Sequence, residues 1–335
     1  MARPARGSSS ALVGAAIALV GGVTSSASAE TPSDRATAFE VDRSTPVAGR
    51  SELGFDGGAP LDTWGASIGL GYLDRPHVLS QGIAVDHRET LFLGAAVSFG
   101  SSIVVEGRLP LSHQLGDRLR PLAAGDGPRL DRWVPNDLHL AARARVGRVH
   151  AHDTADDGHD LLAVFVRGDL ALPTGDESDF AGDLRYRLAT NLIARLDLGP
   201  VILAASGGVT FRGAEVLVEG HVMGNELDGS LGLVVPLPTS VALTAELDGA
   251  LGDDVAGKRG PSPVLAGGGA VVELVPGLQL GVRAQAGLND QIGAPRFVGM
   301  LELAWHPPAT RPEVPAKPAT SAPSPPSDPP ALDED

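Results

Sequence analysis

The sequence predicts an all-β protein, a transmembrane antiparallel up-and-down β-barrel of about twelve strands. Three observations lead to this prediction. Successive segments alternate apolar and polar residues with the period of two that strands show. Several segments reach roughly ten residues or more, about twice the usual strand length, which suffices to cross a hydrocarbon layer when tilted. After residue 29 no segment is apolar and long enough for a spanning helix, so a membrane form has to be a closed barrel.

The hairpin at residues 161–198 shows the alternation most clearly. Its strands, 161–172 and 184–198, are apolar on one face and polar on the other, and the acidic loop 173–183 joins them. The polar face of the second strand carries Arg185, Arg187 and Arg195. A register slip of one residue would turn these arginines to lipid at up to roughly 2 to 4 kcal/mol each near the midplane. We therefore expect them to point into the barrel.

The other strands follow the same pattern. We predict them at 63–72, 90–99, 103–111, 137–147, 201–212, 226–237, 241–251, 264–275, 278–288 and 296–305. Short connections at 100–101, 199–200, 236–239 and 276–277 alternate with long polar loops at 112–136, 173–183, 213–225, 252–263 and 289–295. The connection 148–160 breaks the alternation, because it is long where a short turn is expected. Aromatic residues near strand ends on the apolar face form a predicted interfacial girdle: Tyr72, Phe99, Phe211 and Trp305.

Both ends of the chain lie outside the predicted barrel domain at residues 63–306. Residues 1–29 combine arginines, an apolar run and an Ala-Ser-Ala motif, and are predicted to be a secretory signal peptide. A membrane-anchoring helix is the alternative, but the apolar run is short for one. Residues 30–62 show little periodicity and are left as an irregular N-terminal segment, and residues 307–335 are predicted to form a disordered proline-rich tail.

The net charge and the absence of cysteine exclude several classes of function. The formal net charge of −15 and the pI near 4.9 argue against a nucleic-acid partner. The absence of cysteine removes disulfides and thiolate metal sites. No cofactor is predicted. The expected location is the outer membrane, with both barrel termini on the periplasmic side because an even strand number returns the chain to its starting side. The expected partners are membrane lipid and lipopolysaccharide, with small solutes as further candidates.

Two polar connections carry groups that bind metals, yet we predict no metal site. The connection 148–160 contains His150, His152, Asp153, Asp156, Asp157, His159 and Asp160. The loop 173–183 contains Asp176, Glu177, Asp179 and Asp183. Divalent metals are candidates at both places, but the second spacing does not fit an EF-hand. A solvated polar loop is the preferred interpretation of each.

The segment Gly65-Ala66-Ser67-Ile68-Gly69 matches G-x-S-x-G, the nucleophile elbow of serine hydrolases. That motif works at a sharp strand-to-helix turn, whereas here it lies inside an alternating strand. We therefore predict that the protein is not an enzyme. A lipase-like barrel enzyme and a secreted soluble β protein remain the alternatives.

The polar strand faces are predicted to line a charged lumen. The predicted lumen-lining residues are Arg143, Arg145, Arg167, Arg185, Arg187, Arg195, Arg212, Glu226, Asp228, Glu246, Asp248, Glu273, Arg283 and Glu302. The same faces add Arg108, Arg296, Glu106, Asp137, Asp169 and Asp197. Arginines dominate strands three to seven and acids dominate strands eight to twelve, so one wall should be basic and the opposite wall acidic. The charges either close the lumen as salt bridges or line a hydrated channel.

Short motifs add a family resemblance. Leu172-Pro173-Thr174-Gly175-Asp176, then Phe180 and Gly182-Asp183, resemble the central hairpin of OmpA-type and porin-like outer-membrane β-barrels of Gram-negative bacteria. Phe39-Glu40, Asp42-Arg43, Asp86 to Arg88 and Leu109-Pro110-Leu111 are similar to the barrel half of large OmpA-like proteins. The resemblance covers roughly residues 39–306. Such relatives often carry a C-terminal peptidoglycan-binding domain; none is recognised after the tail, so peptidoglycan binding is not predicted.

Taken with the charged inner face, these features predict an outer-membrane barrel that acts as a narrow passive pore or as an envelope-structural protein.

Overall fold

The computed structural model describes Ala48 and the following residues: 52–61, 63–79, 82–100, 102–116, 130–150, 160–175, 182, 186–212, 216–218, 221–252, 260, 262–290 and 294–307. The predicted signal peptide and proline-rich tail lie outside these residues. So do Arg185, Asp176, Glu177, Asp179, Asp183 and most of the connection 148–160.

Long antiparallel strands build the described part of the chain. In chain order they are β1 (Trp64–Leu79), β2 (Gly82–Phe99), β3 (Ile103–Gly116), β4 (Leu130–Pro135), β5 (Leu138–His150), β6 (Asp160–Leu172), β7 (Arg187–Asp197), β8 (Ile202–Arg212), β9 (Val216–Val218), β10 (His221–Met223), β11 (Glu226–Pro236), β12 (Val241–Gly252), β13 (Val264–Val275), β14 (Leu278–Gly287) and β15 (Phe297–Trp305). Neighbouring wall strands pair in sequence order, and β1 pairs with β15. The predicted closed barrel of about twelve antiparallel strands is confirmed.

No helix among the described residues is long and apolar enough to cross a membrane.

The loop predicted at 112–136 is partly wrong, because pairing continues through much of it. β3 extends to Gly116. β4 pairs with residues 111–116 of β3, and β5 pairs with residues 103–108. β4 and β5 therefore form one wall strand that is interrupted at Asn136 and Asp137. The carboxylate of Asp137, which is fully buried, accepts a hydrogen bond from the backbone N–H of Gly175 at 3.0 Å. The loop predicted at 213–225 likewise contains the small β9–β10 hairpin.

The hairpin of β1 and β2 is also longer than predicted. Pairing runs from Trp64 and Val97 to Leu79 and Gly82, with register shifts beyond Asp74. The sequence of this extension mixes polar and apolar residues without a sustained alternation, so the period of two does not predict it. Backbone hydrogen bonds continue there because the two strands are already held side by side.

The two rims of the barrel differ in their connections. Tight connections at 100–102, 198–201, 237–240 and 276–277 join strands at one rim, which we call the short-turn rim. Most of the longer connections join strand ends at the opposite, long-loop rim. Two connections depart from this rule: the long connection 151–159 joins β5 and β6 at the short-turn rim, the exception that the sequence pattern predicted, and the short connection 80–81 joins β1 and β2 at the long-loop rim. The first barrel strand begins and the last one ends at the short-turn rim, where the rings of Trp64 and Trp305 lie 4.5 Å apart.

The outer surface of the wall is apolar. Exposed leucines, valines and aromatics follow the strands at every second position, as in β15, where outward Leu301 and Leu303 alternate with buried Met300 and Glu302. The predicted girdle residues Tyr72, Phe99, Phe211 and Trp305 are all exposed. An apolar belt this extensive marks a surface that does not face water.

A lumen filled by the N-terminal segment

Ala48 and residues 52–61 lie inside the barrel and form what we call the plug segment. Residues 53–59 are buried although they belong to no strand. The sequence had left this stretch irregular, without a location. The segment occupies the half of the lumen nearer the short-turn rim and then passes directly into β1.

Two apolar contacts hold the plug segment against the wall. Leu53 and Phe55 pack on one cluster formed by Ile202, Ala204 and Val234. Across the lumen, Ala48 and Leu61 pack on a second cluster formed by Ala96 and Val104. The absence of a side chain at Gly232 leaves space for Leu53, because a Cβ added there would lie 2.7 Å from it. The segment thus spans the lumen and is anchored on both sides.

The polar centre of the plug segment is the carboxylate of Asp56. Arg143 and Arg167 occupy directly paired positions on β5 and β6 and both point inward. Like charges at paired positions repel, and Asp56 relieves the repulsion by accepting a hydrogen bond from each guanidinium. Its Oδ2 accepts from Arg167 at 2.9 Å, and its Oδ1 accepts from Arg143 and, at 2.9 Å, from the Gly58 backbone N–H.

The ionisation of Asp56 follows from these contacts. Burial by itself raises the pKa of the carboxyl group. The positive charges of Arg143 and Arg167 and the Gly58 N–H outweigh burial, and the pKa lies below its ordinary value of 3.8. The stabilisation from a depressed carboxyl pKa is complete above the unfolded value and is lost only as the pH falls through the folded value. The carboxylate of Asp56 is therefore charged at any neutral or mildly acidic pH.

Other contacts of the plug segment match the charge of the wall that each group faces. Glu52 accepts a hydrogen bond from Arg195 at 2.8 Å on the basic side. The backbone N–H of Gly54 donates to Glu246 at 2.9 Å on the acidic side. The guanidinium of Arg143 also donates to the carbonyl of Ala59 at 2.6 Å. The segment presents acids to arginines and a backbone donor to an acid.

The wall forms ion pairs of its own. Arg167 also donates to Glu106 and, at 3.0 Å, to Asp169. Arg283 donates to Glu302 at 3.3 Å and lies 3.8 Å from Glu246. Nearer the long-loop rim, Arg212 pairs with Glu226 at 3.2 Å. Each buried guanidinium named here has a carboxylate neighbour, as burial of a charge requires.

The structure places the predicted lumen residues as follows. Arg143, Arg167, Arg195, Glu226, Glu246, Arg283 and Glu302 are buried inside the wall. Arg187, Arg212, Asp228 and Asp248 line a cavity described below. Arg145 is half-buried and pairs with Asp160 at 2.8 Å. Glu273 is exposed at the short-turn rim, and Arg296 is exposed just before β15, so neither contributes to the centre of the lumen.

A cavity of about 140 Å³ lies between the plug segment and the long-loop rim. Phe55 and Asp56 of the plug segment form part of its lining, and its wall comes from β6, β7, β8, β11 and β12. Charged groups of both signs face it: Arg167, Arg187, Arg212, Asp169, Glu226, Asp228 and Asp248. The cavity is a polar vestibule on the far side of the plug segment.

Gly58 provides a test of how tightly the plug segment fits. Its φ is +74°, and an added Cβ would lie 2.8 Å from Phe165. We expect Gly58→Ala to lower the free energy of unfolding by about 2 to 5 kcal/mol, from left-handed backbone strain plus overpacking. Gly100→Ala is the matched control: φ is +63° with open space around it, so the strain of about 1 to 2 kcal/mol stands alone. Urea titrations of both variants in detergent measure the difference; equal losses would mean a loose plug segment.

Metal chemistry finds no support among the residues that the structure describes, where no group of three or more candidate ligands converges. His150 Nδ1 and a carboxylate oxygen of Asp160 lie 2.9 Å apart. The remaining residues of that predicted candidate lie in the undescribed part of the connection, and the prediction for them stays untested.

Known proteins resemble this chain in fold and not in sequence. No protein-family model matches the sequence, and a search of curated proteins finds no relative. Among solved structures, an outer-membrane channel from Pseudomonas putida F1 is similar with a TM-score of 0.56 at 13% identity, over 78% of this chain and 99% of the other. The NanC porin gives a TM-score of 0.47 at 6% identity, over 72% and 98% of the two chains. The β domain of the Bordetella autotransporter BrkA gives 0.42 at 16% identity, over 73% and 99%.

The similarity to the Pseudomonas putida channel concerns the fold alone: this chain has the β-barrel architecture of that protein. The narrower resemblance to OmpA-type barrels stays a prediction.

Proposed function

We propose that the protein is a narrow passive channel of the outer membrane whose lumen is closed at rest by its own plug segment. The apolar outer belt supports insertion into a bilayer, and the predicted signal peptide at residues 1–29 supports export. We place the short-turn rim and both ends of the barrel on the periplasmic side, because short turns belong to that rim in outer-membrane barrels.

The observation that carries the proposal is that the plug segment lies inside the barrel and packs non-covalently against its inner wall. The lumen of a barrel of this width has more space than the side chains of its wall can fill. The plug segment, which belongs to no strand, occupies part of that space. It is held by a few apolar contacts and by ion pairs with Asp56 and Glu52. A vestibule of about 140 Å³ remains beyond it. Loosening the plug segment joins this vestibule to the short-turn rim.

The alternative of a barrel enzyme has little support at its candidate nucleophile. Ser67 lies in the middle of β1, paired with Gly94 on one side and Ala304 on the other. An extended strand with neighbours on both sides does not form the sharp turn that a nucleophile elbow requires. We accordingly propose no catalytic activity.

Planar-bilayer recording tests the channel function. We expect the wild type to show small conductance steps and the double variant Leu53→Ala, Phe55→Ala to show clearly larger ones, because the variant removes the larger of the two apolar contacts of the plug segment and so loosens it. Leu231→Ala removes a side chain of similar size from the outer surface and should leave the conductance unchanged. Absence of conductance in all three, with the barrel folded, would favour the envelope-structural interpretation.

A further inference from the structure

Two pairs of arginines lie at directly opposite positions on neighbouring strands of the wall between β5 and β8. Arg143 and Arg167 are paired at mid-height, and Arg187 and Arg212 are paired near the long-loop rim. Two guanidinium groups side by side repel, so each pair requires an anion. Near the rim the wall supplies one, Glu226, which accepts from Arg212. At mid-height the carboxylate that bridges the two arginines belongs to the plug segment.

Asp56 occupies that position in the way that a bound ligand would. Each of its oxygens accepts from a different guanidinium, a charge-assisted geometry that recognises carboxylates. The backbone N–H of Gly58 completes the set of donors. Within the described chain, no other carboxylate lies at ion-pair distance from Arg143. Departure of Asp56 would therefore leave Arg143 without an anion.

The site can be reached from the vestibule. Asp56 and Arg167 line the cavity, together with the rim arginines Arg187 and Arg212. Four wall acids also face the cavity. Glu226 pairs with Arg212 and Asp169 pairs with Arg167. Asp228 and Asp248 lie on β11 and β12 and accept hydrogen bonds from Thr210 and Gln285. A negatively charged solute moving inward along β6, β7 and β8 thus meets arginines at the rim and again at the floor.

We propose that Arg143 and Arg167 form a carboxylate-binding site that Asp56 occupies at rest, and that the solutes taken by the channel are small carboxylates that compete with Asp56. This inference rests on the proposed channel function. The plug segment then acts as an internal substitute for the solute, and binding of a solute carboxylate is coupled to its release.

Binding is tested on the full-length protein in detergent with succinate as the probe and succinamide as its uncharged counterpart. In Asp56→Ala the site is vacant, and calorimetry should show binding of succinate but not of succinamide. Adding Arg143→Gln to Asp56→Ala should weaken that binding about tenfold or more, the loss expected for a charge-assisted hydrogen bond. Glu89→Gln in the same background removes an exposed charge and should leave binding unchanged. Equal heat from both compounds, or binding unaffected by Arg143→Gln, would overturn the proposal.

A second measurement needs no variant. In the wild type, succinate should increase hydrogen exchange of the plug segment's backbone amides, including those of Gly54 and Gly58, and succinamide should not. Exchange that responds equally to both compounds, or to neither, contradicts competition with Asp56. Both readouts are independent of ion current. A protein that binds succinate but never conducts would refute the channel function and leave the site intact, whereas conductance without succinate binding would refute the site alone.

Discussion

Replacing Arg167 with methionine is expected to lower the free energy of unfolding by about 3 to 5 kcal/mol. Its guanidinium donates to Asp56, Glu106 and Asp169, all of which are buried or nearly so. Removing one partner of a buried ion pair leaves an uncompensated charge, and that is the costly case. Methionine retains the unbranched apolar stem, so the loss of the charge dominates. Asp56 keeps Arg143 and Asp169 keeps His139, which limits the loss.

The measurement is a urea titration in detergent micelles, with heat-modifiable gel migration as the check on folding. Arg148→Met is the matched control, because Arg148 lies exposed at the end of β5 near the short-turn rim. Its loss should stay within about 0.5 kcal/mol, as for most surface substitutions. If both variants lost the same amount, the network around Asp56 would add nothing to stability.

The substitution Leu231→Arg on the outer surface is expected to make the free energy of membrane insertion less favourable by about 2 to 4 kcal/mol. Leu231 lies at the middle of β11 and is 56% exposed on the outer surface. A charge at the bilayer midplane has this cost in outer-membrane barrels, and the cost falls to about 0 to 1 kcal/mol near the interfaces. Leu251→Arg provides the matched control, since Leu251 is 62% exposed near the long-loop end of β12.

Folding into lipid vesicles, followed by gel migration across a urea series, compares the two arginine variants. A large penalty at position 231 and a small one at position 251 would place the apolar belt in a bilayer. If both variants lost little free energy of insertion, the result would support the alternative interpretation of the sequence, a secreted soluble β protein.

The sequence predicted the barrel wall because lipid contact imposes a rule on every strand that it touches. Where a strand faces lipid, every second residue must be apolar, and the alternation of β6 or β15 follows from that rule. Beyond the lipid the rule disappears. Backbone pairing holds the extension of β1 and β2 after Asp74 and the short strand β4, and their side chains follow no regular alternation that a sequence could show.

The plug segment could not be predicted for a related reason. A segment inside a barrel packs against side chains from many strands, so its own sequence needs no period. Leu53, Phe55 and Asp56 are an apolar pair and an acid without regular spacing, and only the folded wall shows what each contacts. One indirect signal existed: the inward arginines of β5 to β7 outnumber the acids on the same strands. That excess implied a missing anion, and Asp56 and Glu52 supply it.

Because Leu61 leads directly into β1, the plug segment stays tethered to the wall, and the tether determines its effective concentration at the site formed by Arg143 and Arg167. A plug joined to the wall by so short a connection never diffuses away, and after release it meets its site again at an effective concentration in the millimolar range. In the competition proposed above, a solute carboxylate with an intrinsic affinity similar to that of Asp56 must therefore reach roughly similar levels before it holds the site for an appreciable fraction of the time. A channel of the proposed kind therefore does not respond to traces of its solute and responds only when the solute is abundant. This behaviour suits passive uptake, in which flux follows the gradient and tight binding would only slow release.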